Sequence, residues 1–224
     1  MIGFPKITGK FEFLLNGQEF PILSEMLLIP IAAAIVCLCV SAKSARWVAL
    51  GATLLELALG ILLWSQYDLK GDQWQFQELW TFGKGVPLFG RFYWALGVDG
   101  IAIMLIMLTV FLMPICILAS WRSIEKRVPE YMAAFLLVET MTLGVFMAQD
   151  IFLFYIFFEA GLIPMFLIIG IWGGAERIYA SYKFFLYTLL GSVLMLVAML
   201  WMVNYAGTTA IPNLLVTDFP AEAQ

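Results

Sequence analysis

The run from Ile151 to Gly170 is apolar almost throughout, and one carboxylate, Glu159, sits inside it. It has the ~20 residues a helix needs to cross a bilayer. A glutamate at the centre of such a span costs at least about 2.5 kcal/mol on the most lenient insertion scale. That cost rules out a simple stabilising role. An intramembrane ionisable group points instead to a proton or ion pathway.

The rest of the chain keeps to the same solvent. Hydrophobic residues make up 63% of it and charged residues 12%, against about 25% charged in soluble domains. Apolar runs predict an all-α polytopic membrane protein with about six spans, at roughly 25–42, 46–66, 98–120, 130–149, 151–172 and 178–204. Residues 1–24 form an N-terminal segment without the charged-then-apolar pattern of a cleavable signal. Residues 205–224 form a polar tail, expected to end at a truncation point. The net charge of -4 is thinly spread, so the expected surroundings are the lipid bilayer and other membrane proteins, not nucleic acid.

Two absences narrow the chemistry. The chain has no histidine, which excludes a His-ligated haem, a His-bound metal and an imidazole relay. Cys37, Cys39 and Cys116 lie in apolar spans without metal-site spacing, so neither a metal nor a disulfide is expected. No cofactor is expected on this chain alone.

Basic residues cluster in alternate short loops: Lys43 and Arg46, then Arg122, Lys126 and Arg127, then Arg177. These loops are expected to face the cytoplasm. The loop over 67–97 carries Trp74, Phe76, Trp80, Phe82, Phe89, Phe92, Tyr93 and Trp94, and reads as an interfacial hairpin on the outer surface.

Each charged group inside a span has a functional and a structural reading. Glu159 lies about 12 Å along its helix at ~1.5 Å per residue. Pro164 removes an N–H and frees the carbonyl of Ala160, and Gly161 adds room, so a hydrated pocket beside Glu159 is expected. Glu139 shares a helix side with Thr142 and Gln149, and would either pass a proton to Glu159 or hydrogen-bond a neighbouring helix. Lys183 opens the sixth span and would either snorkel or point inward and draw a proton off a membrane carboxyl. Glu56 sits between Ala52 and Gly60, a small-residue face suited to close helix packing. Asp99 and Asp150 read as helix N-caps.

One stretch resembles a known family. Phe152-Leu-Phe-Tyr-Ile-Phe-Phe-Glu159-Ala-Gly-Leu-Ile-Pro164-Met, Ile171-Trp-Gly-Gly, and Lys183-Phe-Phe-Leu-Tyr-Thr-Leu-Leu-Gly-Ser192 are similar to membrane subunit M of bacterial NADH–quinone oxidoreductase. The mitochondrial counterpart is subunit 4 of respiratory complex I. Gly97-Val-Asp99-Gly and the Ala148-Gln-Asp150 turn also resemble that family. The resemblance implies the N-terminal part of an antiporter-like fourteen-helix fold, with Glu159 on the proton path. Its main partner would be a lysine in a broken seventh helix past residue 224. It implies proton translocation coupled to quinone reduction, in an inner membrane, bacterial or alternatively mitochondrial. NADH, FMN, iron–sulfur clusters and quinone would be held by partner subunits, and this chain alone would be inactive. Competing readings are a subunit of a multi-subunit Na+(K+)/H+ antiporter and a fragment that only packs against its neighbours.

Overall fold

The computed structural model describes residues 21–81 and 93–220. Residues 1–20, residues 82–92 with Phe82, Phe89 and Phe92 of the expected hairpin, and the last four residues lie outside the described part. Six helices are long and apolar enough to cross a membrane: α1 (Ile22–Cys39), α2 (Ala42–Gln66), α3 (Gly100–Ser120), α4 (Val128–Met147), α5 (Ile151–Trp172) and α6 (Arg177–Ala206). Between α2 and α3 lies an antiparallel hairpin, β1 (Gln75–Thr81) and β2 (Tyr93–Val98). A last turn of helix, α7 (Ile211–Leu214), follows α6.

Four spans fall within two residues of where hydropathy puts them; α2 starts four residues early, at Ala42, because its first turn carries the polar Lys43, Ser44 and Arg46 ahead of the apolar run. α1 starts at Ile22, three residues before the expected boundary. The reason is a cap borrowed from the hairpin. The first turn of a helix has N–H groups with no partner in the helix. Here Glu78 of β1 supplies the acceptors: Leu23 N–H donates to its carboxylate at 2.8 Å and Ser24 N–H at 3.1 Å. The Ser24 hydroxyl also donates to Glu78, at 2.5 Å, and Trp94 Nε1 donates to the Ser24 oxygen at 3.2 Å. Burial pushes the Glu78 carboxyl above the usual carboxylate range, and these three hydrogen bonds pull it back.

Helices α1 to α4 form a bundle: α1 packs on α2 and α4, and α3 on α2 and α4. α5 packs on α4, and α6 on α5. The basic residues Lys43, Arg46, Arg122, Lys126, Arg127 and Arg177 share one end of the bundle. There Arg46 Nη2 donates to the Ile124 carbonyl at 2.8 Å, and Trp172 Nε1 to the Lys126 carbonyl at 2.8 Å. The hairpin closes the other end.

The buried residues of the bundle fall into two apolar clusters stacked along the helices. One, at the hairpin end, includes Leu23, Leu27, Leu63, Ile106, Leu143 and Phe157. The other, at the basic end, includes Ala34, Ala49, Ala52, Ile117, Met132 and Leu136. The small residues of α2 serve this packing. Gly60 has room for no Cβ, because Val110 Cγ2 of α3 lies 2.8 Å from where one would be. Gly144 of α4 is overlain by the ring of Phe157.

Glu78→Ala strips the acceptors from the first turn of α1. The expected cost is about 1–3 kcal/mol, that of leaving such donors unsatisfied. Hydrogen–deuterium exchange should rise at Leu23 and Ser24 while the middle of α1 stays protected.

Candidate functional site

Two contacts fix the register of α5 against α4. A Cβ on Gly161 would meet Met141, and the Phe157 ring covers Gly144. Phe157, Gly161 and Pro164 therefore belong to the side of α5 that faces α4. Glu159 follows Phe157 by two residues, or about 200° around a helix. It lies on another side.

That side faces α6. Gly170 of α5 is seated on Ser181, with the serine Oγ 3.2 Å from where a glycine Cβ would be. The Phe166 ring packs on Tyr182 and Phe185, at centroid distances of 5.7 and 5.5 Å. Ile151 and Tyr155 cluster with Met195 and Met199. Tyr155, Glu159, Leu162, Phe166 and Gly170 recur at helical spacing, so Glu159 sits in the α5–α6 joint. The same antiparallel register brings Gly191 and Ser192 of α6 level with it. Ser192 is buried, and its hydroxyl donates to the Leu189 carbonyl at 3.0 Å. One oxygen of Glu159, Oε2, is buried without a hydrogen-bond partner among the described residues.

This geometry corrects several expectations. Glu139 and Glu159 do not face one another, because Glu139 is about 160° around α4 from Met141, the residue that meets α5. Thr142 is nearly level with Glu159 but turned about 100° from Met141. Gln149 lies past the end of α4. Gly161 makes room for Met141, not for the carboxyl. α5 runs unbroken through Pro164, which is buried on the side that faces α4, not α6. Lys183 lies about 200° from Ser181 and so faces away from α5. It is exposed, with Nζ 5.7 Å from the centroid of the Tyr179 ring. The expected inward ammonium is not at Glu159, since the stripe Ser181, Phe185, Thr188, Ser192 and Met199 occupies that side of α6. This stripe is what sequence reasoning missed. Its signal was three small hydroxylated residues, Ser181, Thr188 and Ser192, seven and four positions apart on one side of an apolar helix.

Glu56 and Glu139 lie elsewhere, inside the α1–α4 bundle. Both are fully buried, on the core-facing sides of α2 and α4, two helices that pack on one another. Among the described residues none of their four carboxyl oxygens has a partner. Among the described residues, Lys and Arg pair with none of the three intramembrane glutamates.

The two aspartates hold helix ends. Asp99 Oδ1 accepts from Ile101 and Ala102 N–H at 3.1 and 2.7 Å. Asp150 Oδ1 accepts from Phe152 and Leu153 N–H at 2.9 and 3.1 Å, and its Oδ2 accepts from the Thr209 hydroxyl at 2.5 Å. Burial raises the Asp150 carboxyl, opposed by those three donors. The backbone around it is a clasp. Gln149 N–H donates to the Ala95 carbonyl of β2 at 2.8 Å, Ile151 N–H to Thr209 at 2.9 Å, and Ile211 N–H to Gln149 at 2.8 Å. Gln149 also lies so close over Gly97 that any side chain there would collide with it. The hairpin, the start of α5 and the segment after α6 are thus tied at one point. Glu159 hangs about 12 Å below it.

Residues 25–149, more than half of the chain, match the family described as NADH-ubiquinone oxidoreductase chain 4, amino terminus. The chain belongs to this family of chain 4 and subunit M proteins. Residues 148–223 match the membrane domain shared by NADH:quinone oxidoreductases and Mrp antiporters. The two matched regions meet at the clasp. NADH-quinone oxidoreductase subunit M of Rhodobacter capsulatus is 51% identical over 208 residues, covering 89% of this chain and 39% of that protein. A chain in respiratory complex I from Thermus thermophilus with bound NADH superposes with a TM-score of 0.73 at 28% identity, covering 91% of this chain and 40% of that one. A chain of the Mrp complex from a Dietzia species gives 0.72 at 18% identity, over 87% and 21%, a likeness of fold alone. The chain spans about two fifths of the length of the subunit M and chain 4 relatives it matches.

In this subunit M family member, Asp150→Ala removes three hydrogen bonds from the clasp. The expected loss is about 1–3 kcal/mol of local stability. Amide exchange should accelerate at Phe152 and Leu153 together, because one carboxylate oxygen accepts from both N–H groups.

Proposed function

We propose that the chain is part of the membrane subunit of a proton-translocating NADH:quinone oxidoreductase, and that Glu159 carries the proton in it. The observation that supports this most is the 51% identity to a subunit M, in a chain that keeps a carboxyl with an unpartnered oxygen buried in the α5–α6 joint. The basic end of the bundle then faces the cytoplasm of a bacterial cell and the hairpin end the outside. NADH, FMN, iron–sulfur clusters and quinone belong to partner subunits. Neighbouring membrane subunits pack around this one. The chain moves protons and no electrons.

The arrangement suits that task physically. Moving one charge against ~100 mV takes about 2.3 kcal/mol. In a low-dielectric joint, a charge brought near a single carboxyl shifts its proton affinity by that much. Ser192 offers a hydroxyl at the same level, able to accept or donate as the carboxyl changes state. Lys183, on the far side of α6, supports no part of this reading. Glu56 and Glu139 lie across α4 from the joint.

The test is Glu159→Gln in the full-length subunit within its assembled complex, in membrane vesicles. NADH-driven acidification should fall by about 100-fold, the lower range for losing a positioned proton-transfer group. NADH oxidation with an artificial acceptor should persist. Unchanged acidification would falsify the role of Glu159. Sodium/proton exchange by the same vesicles without NADH would favour the antiporter reading.

A further inference from the structure

The boundary between the two apolar clusters of the α1–α4 bundle is not empty of chemistry. On α2 it falls between Ala52 and Leu63, and Glu56 is there. On α4 it falls between Leu136 and Leu143, and Glu139 is there. Both side chains are 0% exposed, and all four carboxyl oxygens are buried without a partner among the described residues. On α1 the boundary falls between Leu27 and Ala34, at the buried Pro30. On α3 it falls between Val110 and Ile117, at the buried Pro114. Each proline takes one N–H out of its helix and leaves the carbonyl four residues earlier, of Met26 or of Val110, without its usual donor. One layer therefore holds two carboxyls facing the core and two carbonyls short of a donor.

Among the described residues no positive charge balances that layer. α1 brings only the thiol of Cys37, with Glu25 far off near the hairpin end. α3 brings Cys116 and no charged residue between Asp99 and Arg122. On α2, Arg46 is ten residues away, its guanidinium on the Ile124 carbonyl. On α4, the next titratable groups are Tyr131, bonded to Ser120, and Glu130, paired with Arg127. Glu159 of α5 is on the other side of α4. Two bare carboxylates in such a place would repel each other with no water to screen them.

We propose that Glu56 and Glu139 form a second proton-binding site, enclosed by α1–α4 and separate from Glu159. Its ligand is the proton itself. The hydroxyls of the buried Thr53 and Thr140 are already given to the Leu50 and Leu136 carbonyls, so a protonated carboxyl supplies the free O–H donor, and the two acid groups become the neutral filling between the clusters. The site does not depend on the role of Glu159. It makes the packing of α2 on α4 sensitive to alkali.

The test uses the purified native complex and infrared spectroscopy in H2O and D2O. At neutral pH, wild type minus Glu56→Gln/Glu139→Gln should show a protonated-carboxyl C=O band that moves down in D2O and disappears on alkalinisation. Glu159→Gln should leave that band in place, even if it abolishes proton translocation. The double Gln variant, a fixed mimic of the neutral pair, should also lose the part of the wild-type fall in thermal stability that accompanies rising pH. Should the double variant not assemble, each single Gln variant must reduce the band. The idea is overturned if only carboxylate bands are found at neutral pH, or if a band persists unchanged in either single variant. Carboxylate bands that respond to added sodium would also overturn it, in favour of a metal cation.

Discussion

Inside a bilayer a polar group must find its partner within the protein, because no water is there to take its place. Everything in this chain is arranged around that shortage. Backbone groups are closed off in six helices. Charged side chains sit at helix ends, where they cap or face the headgroups. The three glutamates within the spans are the exceptions, and each stands at a joint between helices. Glu159 lies between α5 and α6, and Glu56 and Glu139 between α2 and α4. The α1–α4 core is consequently two oily blocks with an acid layer between them.

The hairpin end shows how the same shortage is met at a surface. Glu78 finishes the first turn of α1 from 54 residues away along the chain. Asp150 finishes the first turn of α5 while holding Thr209 beyond α6. Both carboxylates act as staples between segments distant in sequence. Burial costs them something in charge, and several donors repay it. The result is a rigid lid from which α5 descends with its glutamate at a set depth.

Much of the architecture was legible from hydropathy alone, since span length and composition follow from bilayer thickness. Four of the six spans sit within about two residues of where they were expected, and α2 begins four residues early, in a first turn that carries Lys43 and Arg46. α1 was displaced because its true start depends on Glu78, a residue no local window contains. The depth of Glu159 was legible too, from its place in an apolar run. Its direction was not. Periodicity tells which residues share a side of a helix, but not which neighbour that side meets. The contact of Gly161 with Met141 turned Glu159 toward α6, and the seat of Gly170 on Ser181 turned Lys183 away. That Glu56 and Glu139 share one layer of the core was equally hidden, because it needs α2 and α4 to be neighbours, with α3 between them in the chain. Ser192 was visible as a letter in a motif, yet its importance comes only from the register of α6.

α6 is gripped along one flank. Its opposite flank presents Leu186, Leu190, Leu194 and Val197 to the outside, so nothing within the described residues fastens it from behind. Along the gripped flank Thr188, Ser192 and Met195 follow one another about one turn, or roughly 5.4 Å, apart. Which of them stands level with Glu159 depends on where α6 is fastened, and the bonds from Asp150 and Ile151 to Thr209 just past its end hold it where the hydroxyl of Ser192 is level with the carboxyl.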